Sequence, residues 1–281
     1  MNVLTVDFNA EDASQRFAES LSQTGFAVLT NHPLDWGLIE KAYAEWQAFF
    51  NSDAKHKYPF EKKNQDGYIS PELSEKAKGE ELKDIKEFYH LYFPHGRYPD
   101  EISDVTKQIF EQQIALGKVL LKWIEDNLPA ELKAKLKCPI SEMLSPERTL
   151  FRVLYYPPFT GDEEPGAIRA AAHEDINLIT LLPSATEPGL QVLSKAGEWV
   201  DVPLNPKALI VNIGDMLQEL TDHFYISTKH RVINPEGQDC TKARMSMPTF
   251  VHAKADAYLS ERYPTADQYL TERLRELGLQ D

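Results

Sequence analysis

Ala170-Ala171-Ala172-His173-Glu174-Asp175-Ile176-Asn177-Leu178-Ile179-Thr180-Leu181-Leu182-Pro183 is the stretch on which the reading of the chain turns. The branched run from Asn177 to Leu182, stopped by Pro183, has the composition of a strand beginning at or just after the His-Glu-Asp triplet. Side chains two apart on a strand share a face, so this reading sets His173 beside Asp175 and turns Glu174 away. A second imidazole must come from elsewhere. His230 is the best placed, in the strand-like run Tyr225–Ile233 that ends at Asn234-Pro235.

Two neutral imidazoles and one carboxylate on one face of an octahedron suit a divalent metal of intermediate softness and leave three adjacent positions open. A closed four-ligand site would only hold the fold together. With a single carboxylate the site keeps positive charge, which welcomes an anionic chelator. Downstream, Arg244-Met245-Ser246 offers a guanidinium fork and a hydroxyl that share a face if the run is a strand.

This ordered set, HxD, then a distant His, then RxS, resembles the isopenicillin N synthase-like branch of the 2-oxoglutarate- and Fe(II)-dependent oxygenases. The likeness runs through Tyr155-Tyr156-Pro157-Pro158, Gly189-Leu190-Gln191-Val192, Gly197-Glu198-Trp199-Val200, Val211-Asn212-Ile213-Gly214-Asp215 and His230-Arg231-Val232. In the N-terminal half it reaches Gly25-Phe26-Ala27-Val28-Leu29-Thr30-Asn31-His32 and Asp84-Ile85-Lys86-Glu87-Phe88. The resemblance implies that His173, Asp175 and His230 hold Fe(II). It also implies that Arg244 and Ser246 bind the distal carboxylate of 2-oxoglutarate, with Tyr156 hydrogen-bonding that co-substrate. The chain departs from the pattern at Leu154, where many relatives have Asn, at Glu174, where Thr is usual, and at Arg169, where a small residue is common. The Arg169 charge either meets solvent or reaches an anionic substrate.

The activity so implied is an O2-consuming hydroxylation, desaturation or ring closure of a small molecule, with release of succinate and CO2. Asp175 speaks against the related halogenases, which lack a carboxylate there. Two other readings stay open: an isopenicillin N synthase-type Fe(II) oxidase that takes no 2-oxoglutarate, and a non-catalytic small-molecule-binding jelly roll.

The chain has 281 residues, 42% of them apolar and 26% charged, which is ordinary for a soluble globular protein. Thirty basic against 44 acidic residues give a formal charge of −14, a poor basis for gripping nucleic acid or an anionic membrane. Cys138 and Cys240 are the only cysteines and lack metal-ligand spacing. No signal segment or membrane-length apolar run is present, so a cytoplasmic protein is expected. Oligomeric state is not legible.

Secondary structure predicts an α+β chain with a mainly β core, a double-stranded β-helix (jelly roll) flanked by N-terminal helices. It divides into helical support and first strands (1–148), the jelly-roll core with the metal site (149–252) and a C-terminal helix (253–281), all one oxygenase domain. Strands are expected at 3–8, 26–29, 150–156, 208–213 and in a hairpin of 190–193 with 199–202. Helices are expected at 11–22, from the Asp35 cap through Phe50, from Ser103 to Leu128, around 130–137, and from Thr265 to Leu277 with Gly278 as its stop. Residues 55–86 read as a long, partly irregular segment of the kind that often sits at the mouth of a site; Tyr68 resembles a family position near the substrate pocket, with a surface role as the alternative. His32, His56, His90 and His95 lack paired spacing and read as structural. His223 lies in a turn, His252 falls past the RxS run, and Asp215 orders a turn.

Overall fold

In the computed structural model, which describes residues 3–71, 73 and 84–276, Phe17 and Leu21 of the first helix bury completely together with Ala13 and Ala18. That helix, α1 (Ala13–Thr24), stops at Gly25, whose φ of +74° suits glycine. A Cβ there would lie 2.3 Å from Thr228 Oγ1, so the chain has no room for a side chain at this corner. Helix α2 (Trp36–Phe50) starts where Asp35 accepts hydrogen bonds from the amides of Gly37 and Leu38, the cap the sequence predicts. Helix α3 (Val105–Asp126) is locked to α2 by Trp46, whose Nε1 donates to Thr106 Oγ1 at 2.9 Å. Shorter helices follow at α4 (Ala130–Lys133), α5 (Ile140–Met143), α6 (Asp215–Leu220) and α7 (Ala266–Glu276). The expected helix stop at Gly278 lies outside the described residues.

The strands are β1 (Thr5–Asp7), β2 (Phe26–Thr30), β3 (Gly67–Ile69), β4 (Glu87–Tyr92), β5 (Leu150–Tyr156), β6 (Ala170–His173) and β7 (Ile179–Pro183). They continue with β8 (Leu190–Leu193), β9 (Trp199–Asp201), β10 (Leu209–Ile213), β11 (His230–Val232), β12 (Arg244–Ser246) and β13 (Thr249–Val251). A large sheet runs β1-β2-β10-β7-β13-β5-β4-β3 with β12 also on β5, and a small one runs β6-β11-β8-β9. Helices α2 and α3 cover the outer face of the large sheet, and the small sheet lies against its inner face. This is the two-sheet jelly roll that the strand pattern predicts.

Register shows what fills the space between the sheets. Phe26, Val28 and Ile210 meet Leu190 and Val192 on one side, while Ile69, Phe88, Leu154 and Tyr156 meet Ala170 and Val232 on the other. In the order of the large sheet, β7 and β13 separate these two apolar plugs. On the same inner face, Thr180 sits opposite both Asn212 and Phe250. Polar groups in that position need partners of their own.

Three expectations are corrected. The His-Glu-Asp triplet does not open a single strand: His173 ends β6 in the small sheet, and the chain crosses through residues 174–178 before entering β7 in the large one. The run 225–233 is a strand only at 230–232, because the residues before it form a turn and an irregular approach packed behind Gly25. Part of 55–86, at 72 and 74–83, lies outside the described residues, and the rest contains β3. Tyr68 on that strand is buried on the helix side, bonded to Glu87 with the Lys55 ammonium 5.4 Å from its ring.

Candidate metal centre

The crossing from β6 to β7 brings His173 and Asp175 together by turning the chain rather than by alternation along a strand. Behind it, the Leu178 amide donates to Val251 O at 2.9 Å and the Asp215 amide to Asp175 O at 2.7 Å. Gly214 passes so close that a Cβ there would lie 2.2 Å from Asn177 O. The β10–α6 corner is thus a mould for the triplet, and the start of α6 at Asp215 replaces the simple turn expected there.

His230 of β11 is the register partner of His173, with ring centroids 4.3 Å apart. His173 Nδ1 donates to Ala171 O at 2.8 Å and His230 Nδ1 to Thr228 O at 3.1 Å, since a carbonyl can only accept. Each Nε2 therefore carries its lone pair toward Asp175 Oδ1, at 3.9 and 3.8 Å. Those separations are slightly less than twice a metal–ligand bond of about 2.1 Å, so one ion fits between the donors. Among the described residues, His173, Asp175 and His230 form the one group of three or more such side chains able to hold a metal.

The carboxylate is held from behind. Asp175 Oδ2 accepts from Thr180 Oγ1 at 2.6 Å and from Asn212 Nδ2 at 2.8 Å, and Asn177 Nδ2 donates to Thr180 Oγ1 at 2.9 Å. Burial by itself would raise the Asp175 carboxyl; the imidazoles of His230 and His173 and these two hydrogen bonds outweigh it and hold the pKa below the ordinary value. His173 is lowered to about 4, first by burial and then by His230, which keeps it a neutral ligand at pH 7. Sequence reasoning missed Thr180 and Asn212; their signal was two polar residues inside otherwise apolar strands. Thr180→Ala and Asn212→Ala should each weaken divalent metal binding about 10- to 100-fold. A competition titration against a chelating dye measures this, and wild-type affinity in both would show that Asp175 orients itself without them.

Arg244 and Ser246 share a buried face of β12, opposite Tyr156 and Leu154 of β5. Arg244 Nε donates to Glu187 O and Pro188 O at 3.0 and 3.2 Å, Nη1 to Ser246 Oγ at 3.4 Å, and the guanidinium stands 5.0 Å from the Tyr156 ring. Arg169 neither meets solvent nor lines an outer surface: it is 1% exposed, 6.0 Å from the Tyr156 ring and 5.7 Å from that of Phe159. Its Nη2 donates to Lys242 O at 3.1 Å, while burial, followed by the charge of Arg244, lowers its pKa. Neither guanidinium has a carboxylate partner among the described residues, so the ordinary ion-pair role of a strand arginine is absent. Tyr156 packs with Ala170 and Val232, which share β6 and β11 with His173 and His230, and this places the arginine pair along the same inter-sheet space.

The other histidines stay apart from the triad. His223 is exposed at a φ of +62°, and His90 is bonded within the β3–β4 region. His252 is lowered to about 4, chiefly by burial and then by Arg148, with Asp175 pulling the other way. A depressed imidazole binds no proton in the fold while the unfolded chain does, so its stability contribution is intact above pH 6.5 and is lost as the pH falls below it. From pH 6.5 to 5 the loss is about 2 kcal/mol. Denaturant melts of the metal-free protein should show it, with a flatter profile in His252→Gln; parallel profiles would refute the assignment.

Sequence comparison places this geometry. The 2OG-Fe(II) oxygenase superfamily matches residues 148–253, and the N-terminal region described as non-haem dioxygenase in morphine synthesis matches residues 4–112. A crystal structure from Caulobacter crescentus, assigned to the 2OG-Fe(II) oxygenase family, is 32% identical, with 98% of this chain and 99% of that one covered at a TM-score of 0.81. The chain belongs to the 2OG-Fe(II) oxygenase superfamily. A protein from Shewanella oneidensis assigned as an oxygenase is 54% identical, with 99% of each chain covered and a TM-score of 0.89. Thebaine 6-O-demethylase of Papaver somniferum is 29% identical over 80% of this chain, and jasmonate-induced oxygenase 1 of Arabidopsis thaliana 29% over 91%. This superfamily member spans only 62% and 65% of those two proteins. No helix among the described residues is long and apolar enough to cross a membrane.

Proposed function

We propose that residues 1–281 work as one Fe(II)- and 2-oxoglutarate-dependent dioxygenase domain that oxidises a small molecule. The observation that carries this reading is the pair of Nε2 lone pairs converging on Asp175 Oδ1. His173, Asp175 and His230 would hold the iron. When bound there with 2-oxoglutarate and O2, Fe(II) supplies the oxidation of a C–H bond coupled to loss of CO2 from the co-substrate.

The chain's own contributions are orientation and exclusion. Thr180 and Asn212 hold the carboxylate so that one oxygen stays free, and the two backbone carbonyls fix both imidazole tautomers. Arg244 would take the distal carboxylate of 2-oxoglutarate with its terminal amino groups, Ser246 would add a hydroxyl, and the Tyr156 ring would back the clamp. The apolar plugs on either side limit water. The unpaired thiols Cys138 and Cys240 fit a reducing, cytoplasmic setting, and the acidic surface fits a small-molecule partner rather than nucleic acid.

The test is CO2 release from 1-labelled 2-oxoglutarate by metal-free protein given Fe(II) and ascorbate. Release that needs Fe(II) supports the reading. Oxygen uptake without it would favour the isopenicillin N synthase-type chemistry, and neither signal would leave a binding module.

A further inference from the structure

Arg152 lies on the inner face of β5, on the same side as Leu154 and Tyr156, with His90 opposite it on β4. Its Nε donates to His90 Nε2 at 2.8 Å. Since that nitrogen accepts, the ring proton sits on Nδ1, which donates to Gln65 O at 3.1 Å. His90 is therefore neutral, and burial, followed by the charges of Arg152 and Lys86, holds its pKa well below the ordinary value. It positions the guanidinium without cancelling its charge.

The guanidinium is 4.8 Å from the Phe88 ring and 5.2 Å from that of Phe250. No carboxylate among the described residues pairs with it, and its two terminal amino groups have no hydrogen-bond partner there. Arg97, by contrast, is bonded to Asp66 and to the carbonyl of Pro59. Lys86, the other cation nearby, is already paired with Asp84 at 2.6 Å. The terminal amino groups of Arg152 are not among the buried unpartnered atoms, so they lie open to a visiting anion.

The position faces the metal centre. Phe250 is partly exposed and is the register partner of Thr180, whose hydroxyl donates to Asp175. Lys86 stands 5.7 Å from the Phe88 ring, on which the Arg152 guanidinium also lies. His173 keeps 39% of its side chain exposed, which leaves the triad accessible to a small molecule.

We infer that the primary substrate is a small carboxylic acid, its carboxylate seated on the two free amino groups of Arg152 and its body against Phe250 beside His173. This rests on the oxygenase reading of the triad and adds a second anion site, distinct from the Arg244 clamp.

The experiment is calorimetric titration of protein loaded with redox-inert Mn(II), with and without saturating 2-oxoglutarate. The probes are hexanoate, benzoate, phenylacetate and 3-phenylpropionate, each matched to its primary amide. At least one acid should bind about 10- to 100-fold more tightly than its amide. Arg152→Gln should erase that preference while 2-oxoglutarate affinity stays at the wild-type value. No acid preferred to its amide, or a preference that survives Arg152→Gln, overturns the proposal. Failure of 2-oxoglutarate to bind the wild-type protein counts against the oxygenase reading alone. If Arg152→Gln does not fold, Arg152→Lys keeps the charge without the fork, and an undiminished acid preference in it overturns the proposal equally.

Discussion

Asp175→Ala should lower Fe(II) affinity at least about 100-fold and abolish iron-dependent CO2 release from 2-oxoglutarate, a larger loss than removing either supporting hydrogen bond. The substitution takes away the only anionic donor and leaves two neutral imidazoles to hold a divalent cation. It also strands Thr180 Oγ1 and Asn212 Nδ2, which have Asp175 Oδ2 as their acceptor. Fold loss is not the expected cause, since the turn is held independently by the backbone bonds of Leu178 and Asp215. Fe(II) titration under anaerobic conditions, beside a thermal melt, separates the two. Iron affinity within a few-fold of wild type, in a folded variant, would remove Asp175 from the ligand set.

Arg244→Ala should raise the 2-oxoglutarate KM about 100-fold, close to 3 kcal/mol, with metal affinity unchanged. Arg244 is aligned by the carbonyls of Glu187 and Pro188 through Nε, and under the proposed reading its terminal amino groups would take the co-substrate carboxylate. The neighbouring Arg169 makes the surroundings still more cationic. Arg244→Lys, which keeps charge but loses the fork, should fall between the two. Steady-state kinetics against 2-oxoglutarate decide the matter: a KM untouched by Arg244→Ala would show that the clamp lies elsewhere.

That His173, Asp175 and His230 would gather, and that Arg244 and Ser246 would share a face, was legible in the residue pattern, because the residue types able to make a metal or carboxylate site are few. Strand β5 and the β8–β9 hairpin were legible with bounds within a residue, since branched runs flanked by Pro and Gly punctuate themselves. Strand β3 was not, because three residues of mixed character among charges carry no period.

What the sequence by itself determined is the set of chemical groups and the two-sheet class that holds them, because residue type and short-range periodicity are local properties. Only the tertiary structure decided how they meet. His173 reaches Asp175 through a sheet-to-sheet crossing moulded by Gly214, Asn212 and Thr180 orient the carboxylate from other strands, and Arg169 is buried rather than in solvent. Those contacts depend on register between segments far apart in the chain, and no local pattern encodes register.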